Sequence, residues 1–182
     1  MQTRGQFVAP VLVLGLGNIL LGDDGVGPEL LREVRGLYRG ARDVECIDGG
    51  TLGMALLGYL GGREALIILD AFAGGGKAGE VLVLEGPEVL GCRMIRSTTA
   101  HEGNAGELLA AAQLLDELPE RVFVVGIEPQ RVRTELGLSE RVASSIPEAL
   151  VKTCGVVERV LAELKGKMVH DRESGRRVQV AS

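Results

Sequence analysis

Tryptophan is absent from this sequence, and only 3% of its 182 residues are aromatic. That removes the flat side chains on which unpaired bases stack. Basic residues do not predominate either: the formal charge is −5, the wrong sign for non-specific attraction to nucleic acid. No apolar run approaches the length of a membrane span, and the opening MQTRGQFVAP has no apolar stretch of the secretory kind. The three cysteines, Cys46, Cys92 and Cys154, are far apart, odd in number and without CxxC spacing. Neither a zinc knuckle nor a disulfide framework is therefore supported. A GxSxG elbow is missing too, which argues against a serine hydrolase. These absences lead to the expectation of a soluble cytoplasmic protein, with one α/β domain over residues 1–164 and a charged, disordered tail over 165–182.

What the chain does have is glycine, 27 residues of it, much of it at the ends of apolar runs where turns need it. The most informative stretch is Val11 to Glu29, VLVLGLGNILLGDDGVGPE. Val11–Leu14 reads as a strand buried on both faces. Gly15 and Gly17 then make a turn, and Pro28 suits the first turn of a helix. The dinucleotide fingerprint would need a third glycine where Leu20 stands, and a phosphate loop would need Lys-Ser/Thr after Gly22. Asp23 and Asp24 occupy those places. They would repel a phosphate and suit a cation, although either could simply cap the helix that follows.

Further along, apolar residues at helical spacing predict a helix from Pro28 to Tyr38 and another from Leu52 to Leu60. Strands are predicted at Val44–Ile47, Ala65–Leu69, Glu80–Leu84 (nearer an edge) and Arg121–Gly126. Ala73–Gly79 reads as a flexible glycine-rich loop, and Ala105–Leu118 as an apolar helix. Ser139 should cap a last helical region reaching Leu164, bent or restarted near Pro147. Strands alternating with helices imply a largely parallel sheet covered on both faces. The third and fourth strands are joined without a helix, so one strand is expected to run antiparallel.

In such sheets ligands bind beyond the carboxyl ends of the strands. Asp24 follows the first strand, Asp48 the second and Asp70 the third, while His101 lies in a polar connection able to return to that edge. Asp24, Asp70 and His101 together would make a site for a divalent metal such as nickel or zinc, with positions left open for water or substrate. Each has a plainer alternative. Asp70 could steady its own loop, His101 could be a hydrogen-bonding loop residue, and Asp48 heads a DGG turn in which Asp bonds its own backbone. His170, among charged residues of the tail, fits a solvated role, and no base adjoins Cys46 or Cys92.

Taken together, these motifs resemble the hydrogenase maturation endopeptidases. GLGNILLGDDGVGPE (Gly15–Glu29) is similar to the opening signature of that family. DGGT (Asp48–Thr51), Leu69–Asp70, VGIEP (Val125–Pro129) and GLS (Gly137–Ser139) follow in the family's order. The resemblance implies a three-layer α/β/α sandwich around a five-stranded twisted sheet. It also implies metal-dependent removal of a C-terminal extension from the nickel–iron hydrogenase large-subunit precursor after nickel insertion. The family's metal-binding and catalytic positions match Asp24, Asp70 and His101, with the nickel supplied by the precursor, which leaves Asp23 to hold the turn or cap the helix. A monomer is expected of a protein that must dock a large partner. At His101 the match departs from the common pattern, since Glu102-Gly103-Asn104 follow. A competing reading of the same residues is a non-catalytic metal-binding chaperone for the large subunit.

Overall fold

The computed structural model describes residues 7–91 and 105–179. Five strands, β1 (Val11–Leu16), β2 (Val44–Gly50), β3 (Ala65–Ala71), β4 (Val81–Glu85) and β5 (Arg121–Ile127), form one sheet in the order β2-β1-β3-β5-β4. The pairs β1–β2, β1–β3 and β3–β5 are parallel. The edge strand β4 runs antiparallel to β5, Val81 facing Ile127. The short link of residues 72–80 between β3 and β4 is the reason. It carries no crossover helix, so the chain turns back across the edge instead of returning to start in parallel.

Among the described residues the sheet is covered by α1 (Val26–Leu37), α2 (Pro87–Gly91), α3 (Ala105–Leu114), α4 (Glu140–Gln179) and the 3₁₀ turns of Gly53–Tyr59. All six residues of β1 are buried, and their alternation feeds two cores. Val11 and Val13 pack with Leu30, Leu31 and Val34 of α1 and with Val157 and Val160 of α4. Leu12, Leu14 and Leu16 pack on the other face with Leu56, Leu60, Leu108 and Leu109. Helices on both faces make the α/β/α sandwich.

Several elements differ from expectation. The first three strands run two or three residues further than predicted, so that Asp48 and Asp70 lie within β2 and β3 and not after them. The stretch predicted as a helix over Leu52–Leu60 winds as 3₁₀ at Gly53–Tyr59, because Gly53 and Gly58 remove much of its α-helical preference. The helix predicted to reach Leu118 ends at Leu114, closed by Asp116 in the left-handed region with φ 58°. The short α2 has no counterpart in the sequence reading. Finally, α4 passes through Pro147 without restarting and continues to Gln179, where a disordered tail is expected beyond Leu164. The lysines, arginines and glutamates there are too polar for a core but are good helix formers. Among the described residues no helix is long and apolar enough to cross a membrane.

Candidate active site

The parallel strands β1, β2, β3 and β5 all open onto one edge of the sheet, and the loop after β1 is drawn across it by glycines. Gly27, in the first turn of α1, lies so close to the carbonyl oxygens of Leu16 and Leu69 that a Cβ there would collide with both. This seats α1 directly on the ends of β1 and β3. The preceding 3₁₀ turn, Asp23–Gly25, is thereby pressed to the end of β3. Gly17, at φ 124°, leaves room for the carbonyl oxygen of Asp24.

Asp24 is 6% exposed. Its Oδ2 accepts the backbone N–H of Asn18 at 2.8 Å, and the Asn18 side chain shapes the same loop by accepting the N–H of Leu20 at 3.0 Å. Asp70, next to last in β3, is half-buried. Its Oδ1 accepts the N–H of Ala71 at 2.8 Å. Burial of its carboxyl, and after it the nearby charge of Asp24, push its pKa up to about 7 against the opposing Ala71 bond. Two carboxylates near enough to act on one another in this way form a site with excess negative charge.

Of the two roles expected of Asp23, holding the turn or capping the helix, the bonds fit the first. It has no exposed surface, and neither the 3₁₀ turn nor α1 is capped by a side chain. Its Oδ2 accepts the N–H groups of Gln130 and Arg131 and the hydroxyl of Ser139, each at 2.9 Å. Its Oδ1 accepts the N–H of Ser139 at 2.6 Å. Burial by itself would raise this pKa, but the four bonds outweigh it and hold the carboxyl below its usual value. Ser139 meanwhile caps α4 as expected, its Oγ accepting the Val142 N–H at 3.4 Å. The segment between β5 and α4 is thus tied to the acidic turn, an attachment extended by Gly22 N–H to Glu135 O at 2.8 Å and Glu135 N–H to Leu20 O at 3.0 Å.

Glu128 is a further residue whose role the sequence reading missed. It is 8% exposed and accepts the N–H groups of Gly74 and Gly75 at 2.7 and 3.2 Å. The glycine-rich loop expected to be flexible is therefore pinned a few residues beyond Asp70. An acid at the end of a buried strand, before Pro129, was the available signal. Asp48 follows its plainer reading: it is exposed, and its Oδ1 accepts the N–H of Gly50 at 3.1 Å. Cys46 is half-buried on β2, with its thiol pushed up by burial against the influence of Arg35, which does not favour a nucleophilic thiolate. His101 and Cys92 lie outside the described residues, and His170 falls within α4. Among the described residues no group of three or more His, Cys, Asp or Glu side chains could hold a metal ion. Of the three positions expected from the sequence, Asp24 and Asp70 lie at this edge and His101 lies outside the described residues.

The family model described as HycI, hydrogenase maturation protease, matches residues 28–155. The hydrogenase 2 maturation protease of Escherichia coli is 32% identical over 155 residues, which cover 85% of this chain and 90% of that protein. The HupD hydrogenase expression/formation protein of Rhizobium leguminosarum is 32% identical over 77% of this chain and 70% of its own length. Among solved structures, the hydrogenase maturating endopeptidase HybD of E. coli superposes with a TM-score of 0.71 and 33% identity, covering 86% of this chain and 93% of that one. The hydrogenase maturation protease HybD of Thermococcus kodakarensis gives a TM-score of 0.62 at 25% identity, covering 80% and 97%.

Proposed function

The chain belongs to the hydrogenase maturation protease family, and from that premise we propose that it removes a C-terminal extension from a nickel–iron hydrogenase large-subunit precursor after nickel insertion, as a monomer in the cytoplasm. The observation that supports this reading most is the placing of Asp24 and Asp70 at one sheet edge, where burial and, after it, the charge of Asp24 raise the pKa of Asp70. A divalent cation offsets such a pair, and carboxylates joined by an imidazole suit nickel or zinc. His101 is the third ligand in this reading. The nickel arrives with the precursor, as part of the substrate, which places the peptide to be cut against this edge. Bound there, it supplies polarisation of the scissile carbonyl or a lower pKa for the attacking water.

The chain's own part is to hold its oxygens in place beforehand. The Asn18 N–H fixes one oxygen of Asp24 and the Ala71 N–H one oxygen of Asp70. Gly27 sets the spacing of the elements that carry them. The test is to mix the purified protein with nickel-loaded precursor and follow precursor mass. Wild type should yield a product shorter by the extension. Asp24→Asn and Asp70→Asn should each slow processing by at least about 100-fold, since even the outer partners of metal ligands are worth 10–100-fold. A normal rate in either variant overturns the assignment. Binding without a shorter product favours the chaperone alternative.

A further inference from the structure

Cutting a peptide bond places negative charge on its carbonyl oxygen. The oxygen of water bonds to the carbonyl carbon as the C=O electron pair shifts to oxygen; a water proton passes to the nitrogen, the pair returns and the C–N bond breaks. A hydrogen-bond donor held ready for that oxygen stabilises the charge as it develops. Ionised Asp24 and Asp70 can only accept, and their charge opposes another anion beside them. We propose that the side-chain amide of Asn18 is a further catalytic group, its Nδ2 hydrogen-bonding to the carbonyl oxygen of the bond to be cut and lending no proton of its own. The inference rests on the function proposed above and names the donor in that reaction.

Three observations select this amide. First, it is what the turn carrying Asp24 has left to give. From Gly17 to Gly25 every backbone N–H except that of Ile19 donates to an acceptor among the described residues. Asn18 carries the one side chain of that stretch with an N–H to donate. Second, its orientation is set. Oδ1 accepts the Leu20 N–H at 3.0 Å, so Nδ2 is turned away from that bond, and it has no acceptor among the described residues. Third, it stands at the acids. The Asn18 N–H donates to Asp24 Oδ2 at 2.8 Å, and covalent geometry keeps Nδ2 within about 5 Å of that nitrogen. Asn18 follows β1, which lies between β2 and β3 in the sheet. The chain passes from β1 to β2 on one side and on to β3 on the other, and the crevice at such a change of direction is where open parallel sheets bind their ligands. Half-buried, the amide is within reach of a substrate there.

The experiment measures kcat and KM of wild type, Asn18→Asp and Asn18→Ala on nickel-loaded precursor. Aspartate keeps the shape and an acceptor for Leu20 but, ionised, has nothing to donate. Alanine removes donor and acceptor together and adds no charge. Each variant should lose about 100-fold in kcat, the worth of one such donor, with KM little changed because the substrate is still held. A normal kcat in Asn18→Asp overturns the proposal, since the amide oxygen is then the part that matters. So does a normal kcat in Asn18→Ala, or a loss confined to KM in either variant, which marks substrate binding instead. Should Asn18→Ala fail to fold, Asn18→Asp decides by itself. Wild type that leaves the precursor uncut overturns the protease assignment and this donor together, whereas wild type that cuts no faster than a variant overturns the donor alone.

Discussion

A carboxylate with no exposed surface has to find its hydrogen bonds inside the protein, and Asp23 finds four in residues 107 to 116 positions away. Asn in its place could accept on one side only, and its amide would meet N–H donors on the other. Asp23→Asn should therefore cost about 3 kcal/mol, the worth of a charge-assisted bond lost in a buried place, read as a drop in the urea midpoint. In Asp24→Asn the stability loss should be smaller and the activity loss larger. The adjacent acids were legible in the sequence as a pair marking the site, and Asp70 as an acid ending a buried strand. The separation of Asp24, as expected ligand, from Asp23, as turn-holder or helix cap, was drawn from the sequence as well, but the partners that make Asp23 an anchor were not, since they are contributed by a stretch that reads as irregular. His101 lies outside the described residues and rests on the resemblance.

At the level of elements, α1 contains two glycines with opposite demands. A Cβ at Gly27 would meet the carbonyl oxygens of Leu16 and Leu69, which are backbone and cannot move aside, whereas one at Gly36 would meet nothing within 4 Å. Gly27→Ala should destabilise by about 3 kcal/mol as the helix is forced off the strand ends, and it should impair processing as well. Gly36→Ala should stabilise by up to about 1 kcal/mol through helix preference alone. Thermal melts of the two variants check both signs. Strands and principal helices were legible because burial on both faces leaves uninterrupted apolar runs in β1, β3 and β5. The 3₁₀ winding of Gly53–Tyr59 and the continuation of α4 to Gln179 were not. The first depends on glycine within an apolar run, and the second on helix preference in a charged stretch without apolar periodicity.

For the molecule as a whole, Asp23 and Asp70 make stability depend on pH in opposite directions. The folded pKa of Asp23 lies below its ordinary 3.8, so its contribution is present above that value and is lost as pH falls through the lower folded one. That of Asp70 is raised from 3.8 to about 7. Its contribution is complete below 3.8 and is lost as pH rises toward 7, where the folded protein must hold an unfavourable charge. In metal-free protein, Asp70→Asn should raise the urea midpoint at pH 8, with the gain disappearing near pH 4; a constant difference across that range would contradict the assignment. The strand order has a consequence of another kind, in the sequence of events as the chain is made. β5 lies between β3 and β4 in the sheet, yet it is synthesised after both. Until residue 127 emerges, β3 lacks a neighbour on that side and β4 has none within the sheet. The sheet thus closes through its middle rather than growing from one edge. A nascent chain waiting for β5 exposes unpaired strand edges, the condition under which slow, non-local folding and aggregation compete.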